Sequence, residues 1–197
     1  MSETGHTYTE RVLEALAKAF EWHKEQRRRG PERVPYVTHL LGVASIVGEY
    51  GGDEDQFIAA LLHDAAEDQG GQQTLDEIER MFGLRVAELV LACSDTLEKP
   101  KPEWRQRKEK HLAEAAQAAP DARLILAADK LHNMRSVYRS LRQHGEDTWK
   151  AFKGGREGSI WYFESMFEAL CQDWDHPILE TLKEQLDALK RLAAQED

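Results

Sequence analysis

Apolar residues recur along this chain at helical spacing and almost nowhere at the alternation of a strand. Val12, Leu16, Ala19, Phe20 and His23 share one face of a helix that opens near Thr7, where Thr7 and Glu10 form a capping-box pattern. A second helix places Leu40, Leu41, Val43, Ala44, Ile46 and Val47 behind His39 and stops at Gly51-Gly52. The third opens on the Asp53 and Gln56 box, runs through AALLHDAAED and stops at Gly70-Gly71. Thr74 and Glu77 cap a short helix bearing Leu75, Ile78, Met81 and Phe82, and beyond Gly83 another carries Val86, Leu89, Val90 and Cys93. A long helix starts at Asp121 and leads through the apolar run from Leu124 to Ala128 into Asp129. Ile160, Phe163, Met166, Phe167 and Leu170 mark one late helix, and Leu179, Leu182, Leu186 and Leu189 another. With no strand period, repeat or low-complexity tract, the pattern predicts one all-α domain over residues 1–197, with about eight to nine helices.

Composition narrows the class. A length of 197 residues with 41% hydrophobic content suits one soluble domain with a substantial core. No apolar run nears the roughly 20 residues of a membrane span, and MSETGHTYTER lacks the basic-then-apolar order of a signal peptide, so a cytoplasmic protein is expected. Cys93 and Cys171 stand far apart among apolar helical residues and read as reduced core residues. A net charge of −10 argues against DNA, RNA or an anionic membrane as partner. Against that background two basic stretches stand out. HKEQRRRGPERVPY holds Lys24, Arg27, Arg28, Arg29 and Arg33, and KPKPEWRQRKEK holds Lys101, Arg105, Arg107 and Lys108. Either one alone reads as solvated surface, the second as an exposed helix; together they suggest a phosphorylated small ligand.

The candidate chemistry centres on the third helix. His63, Asp64, Glu67 and Asp68 lie in a run that otherwise buries itself, where charged groups are costly unless a metal or partner satisfies them. Glu67 is i+4 from His63 and i+3 from Asp64, and Asp68 is i+4 from Asp64, so all four can serve one site, or else form the polar end of an amphipathic helix. His39, beside Leu40 and Leu41, is a core histidine or a partner to that site. His23 closes a buried stripe as a core or supporting histidine, and Asp95 in CSDT reads as a structural, helix-ending carboxylate. Asp129, Asn133 and Ser136 line up on one face as carboxylate, amide and hydroxyl, which suits a metal ligand followed by sugar or phosphate contacts; an ion pair of Asp129 with a nearby Lys or Arg is the alternative. Tyr162, off the main apolar stripe, is free to face a ligand.

The order His39, then His63-Asp64, then Asp129 resembles the H…HD…D pattern of the HD-domain metal-dependent phosphohydrolases. More narrowly, HKEQRRRG…PYVTH, ALLHDAAED, TLDEIERMFG and LAADKLHNMRS are similar in order and spacing to the hydrolase domain of the RelA/SpoT family and its stand-alone small alarmone hydrolases, over most of the chain and including WYFE. The resemblance implies an HD-type helical bundle with His39, His63, Asp64 and Asp129 as metal ligands and Glu67 with Asp68 as the catalytic carboxylates. It further implies substrate contacts from Asn133 and Ser136, a basic pair, Arg28 and Arg29, against the nucleotide base, and looser phosphate contacts from Lys101 and Arg105. A mixed nitrogen and oxygen ligand set suits Mn²⁺ or Fe²⁺ without excluding Zn²⁺, and the likeness to manganese enzymes selects one Mn²⁺ ion. The implied reaction removes the 3′-pyrophosphate from (p)ppGpp or (p)ppApp, giving pyrophosphate and a nucleoside 5′-di- or triphosphate, with no room expected for a synthetase domain. Another HD-type nucleotide phosphohydrolase and a non-catalytic alarmone-binding antitoxin are the alternatives. The sequence departs from the family pattern in a longer loop from Gly30 to Val34, in Leu40 where proline is common, in Ala65-Ala66 for a bulkier pair, and in Ser136 where threonine is more usual. Because the loop borders the implied base pocket, guanine and adenine both stay open.

Overall fold

Ala15, Ala19 and His23 form the buried stripe of α1 (Glu10–His23) in the computed structural model, which describes residues 7–195. The cap of α1 is Thr9 rather than the expected Thr7: its hydroxyl accepts from the Arg11 N–H, while the Thr9 N–H and the Arg11 guanidinium bond Glu54. Docking on the start of the third helix therefore sets where the first one begins. Helices α2 (Val37–Glu49) and α3 (Glu54–Leu62) follow, and the Asp53–Gln56 box forms in both directions at 3.0 Å.

The expected continuous third helix is broken. His63 and Asp64 form a turn, and a single further turn of helix, α4 (Ala65–Asp68), continues beyond it. In α5 (Gln72–Phe82), Thr74 lies inside the helix rather than capping it, and its hydroxyl accepts from the Gly70 N–H instead. Gly83, at φ 94°, separates α5 from α6 (Leu84–Cys93), a backbone state that a side chain would strain. Then come α7 (Trp104–Gln117), α8 (Pro120–His144), a 3-10 helix (Gly145–Ala151), α9 (Gly155–Leu170) and α10 (Ile178–Ala193). Among the described residues there is no strand beyond an isolated Arg27 to Pro35 bridge, so the bundle is all α. None of its helices is long and apolar enough to cross a membrane.

Packing explains the composition of the central elements. α3 contacts α1, α2, α6 and α8, and accordingly Ile58, Ala59, Ala60, Leu61 and Leu62 are all buried. α8 is covered by α2 on one side and α10 on another, which buries Ile125 to Leu131 almost continuously and carries Asp129 and Lys130 inside with them. α7 pairs with α9 across the mouth of the same region. Cys93 is buried as expected; Cys171 is exposed, because it lies just past the end of α9 where the chain turns away from the core.

Candidate metal centre and active site

Three elements converge on one point. α2 supplies His39, the turn after α3 supplies His63 and Asp64, and α8 supplies Asp129. His39 Nε2 lies 3.2 Å from Asp129 Oδ1 and 3.5 Å from Asp64 Oδ2. His63 Nε2 lies 3.1 Å from Asp64 Oδ2 and 3.7 Å from Asp129 Oδ1. One donor atom each from His39, His63 and Asp129 falls within 4.8 Å of the others. His63 (φ −57°, ψ −31°) and Asp64 (φ −94°, ψ −6°) keep right-handed helical angles through the turn, so their side chains splay around the axis, yet both reach the same point.

Neighbouring polar groups hold the donors in place. His63 Nδ1 is 2.8 Å from the Ala60 carbonyl, an acceptor that places the ring proton on Nδ1 and the lone pair on Nε2. His63 Nε2 is buried and has no hydrogen-bond partner, although two carboxylates face it. His39 Nδ1 is 2.9 Å from His132 Nδ1. The Tyr36 hydroxyl donates to Asp64 Oδ2 at 2.6 Å, and Asp129 accepts from Asn133 Nδ2 at 2.6 Å and from Lys130 Nζ at 2.5 Å. Burial opposes ionisation of both carboxylates, yet the imidazoles, with Lys130 beside Asp129, hold Asp64 and Asp129 well below the usual carboxylate range. Burial likewise opposes charge on His63, and Asp64 with Asp129 overrides it, raising its proton affinity well above that of a free histidine. A site of two imidazoles and two ionised carboxylates that draws in a positive charge fits a divalent cation.

Glu67 and Asp68 sit one turn beyond, on α4. Glu67 accepts from the Asp95 N–H at 3.0 Å and from Lys101 Nζ at 2.8 Å, and Asp68 accepts from Gln26 Nε2 at 2.7 Å. Gln26 in turn contacts His23 Nδ1 at 2.7 Å, so His23 supports the site rather than entering it. Both carboxylates, with His39, Asp64 and Asp129, line a cavity of about 300 Å³.

Of the expected substrate contacts, Arg28, Arg29, Asn133, Ser136 and Tyr162 line this cavity. Arg28 also donates to Asn133 Oδ1 and lies over the Tyr36 ring, so Asn133 bridges Asp129 and Arg28 with both ends of its amide. The Tyr162 hydroxyl is buried without a hydrogen-bond partner. Lys101 pairs with Glu67 and Asp68 from the rim. Arg105 turns outward, 3.3 Å over the Trp161 ring and paired with Glu109, while Lys108, three residues on, points inward over Tyr162 at 4.4 Å. Sequence reasoning did not single out Tyr36, Lys130, His111 or His132. Tyr36 and His132 stand inside the quoted PYVTH and LHNMRS strings, one helical turn from His39 and Asp129, and that spacing was the available signal. Asp95, expected as a structural carboxylate, is buried and paired with Arg107 and Lys108, and its backbone N–H fixes Glu67.

A family described as HD domain matches residues 15–160. The chain is 42% identical over 130 residues to guanosine-3′,5′-bis(diphosphate) 3′-pyrophosphohydrolase MESH1 of Xenopus tropicalis and, equally, of Homo sapiens, covering 65% of this chain and 70% of each relative. A solved structure described as a metazoan ortholog of SpoT that hydrolyzes ppGpp superposes with a TM-score of 0.77 at 29% identity, over 94% of this chain and 97% of that one. Both the sequence and the arrangement of the four converging side chains lead to the same place: this chain belongs to the HD-domain family, as a hydrolase domain of the RelA/SpoT type.

Proposed function

We propose that the protein removes the 3′-pyrophosphate of guanosine 3′,5′-bis(diphosphate) and related alarmones, (p)ppGpp or (p)ppApp, releasing pyrophosphate and a nucleoside 5′-di- or triphosphate. The observation that carries this reading is the shared cavity, in which a buried imidazole and carboxylate cluster, a second carboxylate pair and the Arg28 and Arg29 wall open onto one space. The activities named for the relatives support it. His39, His63, Asp64 and Asp129 would hold one Mn²⁺ ion. When bound, that ion supplies Lewis acidity toward a phosphoryl oxygen and toward water.

The remaining steps belong to the chain's own residues. Asp95 and Gln26 fix the backs of Glu67 and Asp68, so the pair orients the attacking water and Glu67 takes its proton. An entering polyphosphate competes for Lys101 and frees Glu67 Oε1 for that task. Arg28, Arg29 and Ser136 bind the nucleotide, and Asn133 holds Arg28 in register with Asp129, which keeps the 3′ phosphates in line for displacement. The small nucleotide substrate and a cytoplasmic setting go together, and the whole chain works as one domain, since α10 beyond the matched residues packs along α8.

The test is a product assay with manganese on 3′-pyrophosphorylated guanine and adenine nucleotides. Intact pyrophosphate with a nucleoside 5′-di- or triphosphate is expected. Orthophosphate release would instead assign another HD-type phosphohydrolase, and binding without turnover would assign an alarmone-binding antitoxin.

A further inference from the structure

We propose that His132 is a positioning residue for the metal centre, accepting the Nδ1–H of His39 and thereby fixing the ring whose Nε2 faces the ion, and that Gly42 is the space this arrangement requires. The inference rests on the metal-centre reading of His39 and goes beyond it. His39 Nε2 is turned to Asp129 and Asp64, at 3.2 Å and 3.5 Å, so a coordinating His39 carries its proton on Nδ1. The acceptor for that proton is His132 Nδ1, 2.9 Å away. His132 must then present a lone pair at Nδ1 and keep its own proton on Nε2. His63 solves the same problem with a carbonyl of its own helix, whereas His39 depends on a side chain from a different helix.

Gly42 provides an independent observation. It lies inside α2, where glycine is less stable than alanine by about 1 kcal/mol, and its backbone is ordinary helix with no positive φ, so conformation does not explain it. Space does. A Cβ at position 42 would come within 2.3 Å of His132 Cδ2 and 2.4 Å of its Nε2. His39 and Gly42 are one turn apart on α2, and Asp129 and His132 one turn apart on α8, so the packing register of these two helices also sets the angle of a ligand ring.

The experiment measures Mn²⁺ affinity of metal-stripped protein by competition with a chelator, with circular dichroism to verify the fold. His132→Phe keeps the ring and removes the acceptor; affinity is expected to fall about 10- to 100-fold, as for loss of the group that orients a ligand. His132→Asn offers its Oδ1 near the same place and is expected to stay near wild type. Gly42→Ala is expected to weaken binding as His132→Phe does, and it carries the test alone if the phenylalanine variant does not fold. Wild-type affinity in His132→Phe or Gly42→Ala, with the ion lost in His39→Ala, overturns the role of His132 and leaves the metal centre standing. Equal losses in His132→Phe and His132→Asn reduce the ring to filler and also overturn it. Wild-type affinity in His39→Ala rejects the metal centre itself.

Discussion

Asp64 and Glu67 carry the same charge three residues apart, and their surroundings divide their work. Asp64 faces two imidazoles and accepts from Tyr36, whereas Glu67 has a backbone N–H, an exposed lysine and the buried Arg107 guanidinium at 3.8 Å and, among the described residues, no imidazole in ion-pair range. Glu67→Gln keeps the shape and removes the base. A kcat loss of about 10²-fold or more is expected, with bound manganese and KM near wild type; loss of the metal in this variant would make Glu67 a ligand, and an unchanged kcat would pass the base role to Asp68. At this scale the sequence told much about the centre and little about its supports. His63, Asp64 and Asp129 could be singled out because charged groups in buried runs need a reason, whereas His39 became a candidate ligand only through the resemblance to the H…HD…D pattern. Tyr36 and His132 were marked only by lying one helical turn from His39 and Asp129, and their contacts across elements were not legible, since helical spacing says which residues share a face and not how one helix lies against another. Asn133 shows the limit, because its line with Asp129 was visible, and its bond to Arg28, 105 residues away, was not.

At the scale of elements, two departures from the expected pattern build the site. The interruption after Leu62 divides one expected long helix into two at His63-Asp64, a feature that an apolar stripe continuing through Ala65-Ala66 conceals. The basic loop after α1 is pinned by Arg28 N–H to the Val34 carbonyl at 2.8 Å and Tyr36 N–H to the Gln26 carbonyl at 3.0 Å, with Arg33 at φ 50° in its bend. One short pinch thus sends Gln26 to Asp68, Arg28 to Asn133 and Tyr36 to Asp64. The outward turn of Arg105 belongs here too: α7 is oriented by Trp161 and Tyr162 of α9, a contact that composition alone does not reveal. Arg28→Ala with Arg29→Ala should raise KM more than it lowers kcat, because both residues line the cavity proposed to bind the substrate and neither is among the four proposed to hold the ion. An unchanged KM in steady-state assays would return these arginines to plain surface charge.

Over the whole molecule, a chain of net charge −10 gathers Arg28, Arg29, Lys108, Lys130 and Lys153 around one cavity that also holds its most buried carboxylates. The balance within that cavity depends on what occupies the metal position, and this makes stability respond to pH. Without an ion, Asp64 and Asp129 raise the pKa of His63 well above the 6.5 of an unfolded chain. Protonated His63 therefore stabilises the metal-free fold fully below that value, and the contribution is lost as pH climbs through the raised folded-state pKa. Asp64 and Asp129 are shifted down from 3.8, so their contribution is present above that value and does not change across the neutral range. With the proposed ligand set, the ion needs the His63 lone pair that the proton occupies, and its binding would release that proton. Manganese is thus expected to raise the melting temperature more at about pH 8 than at about pH 6, while the metal-free protein loses stability between them. Calorimetry with and without Mn²⁺ at the two pH values measures both changes; an equal increment at each would show that no proton leaves the site when the metal enters, and His63 would then not be its ligand.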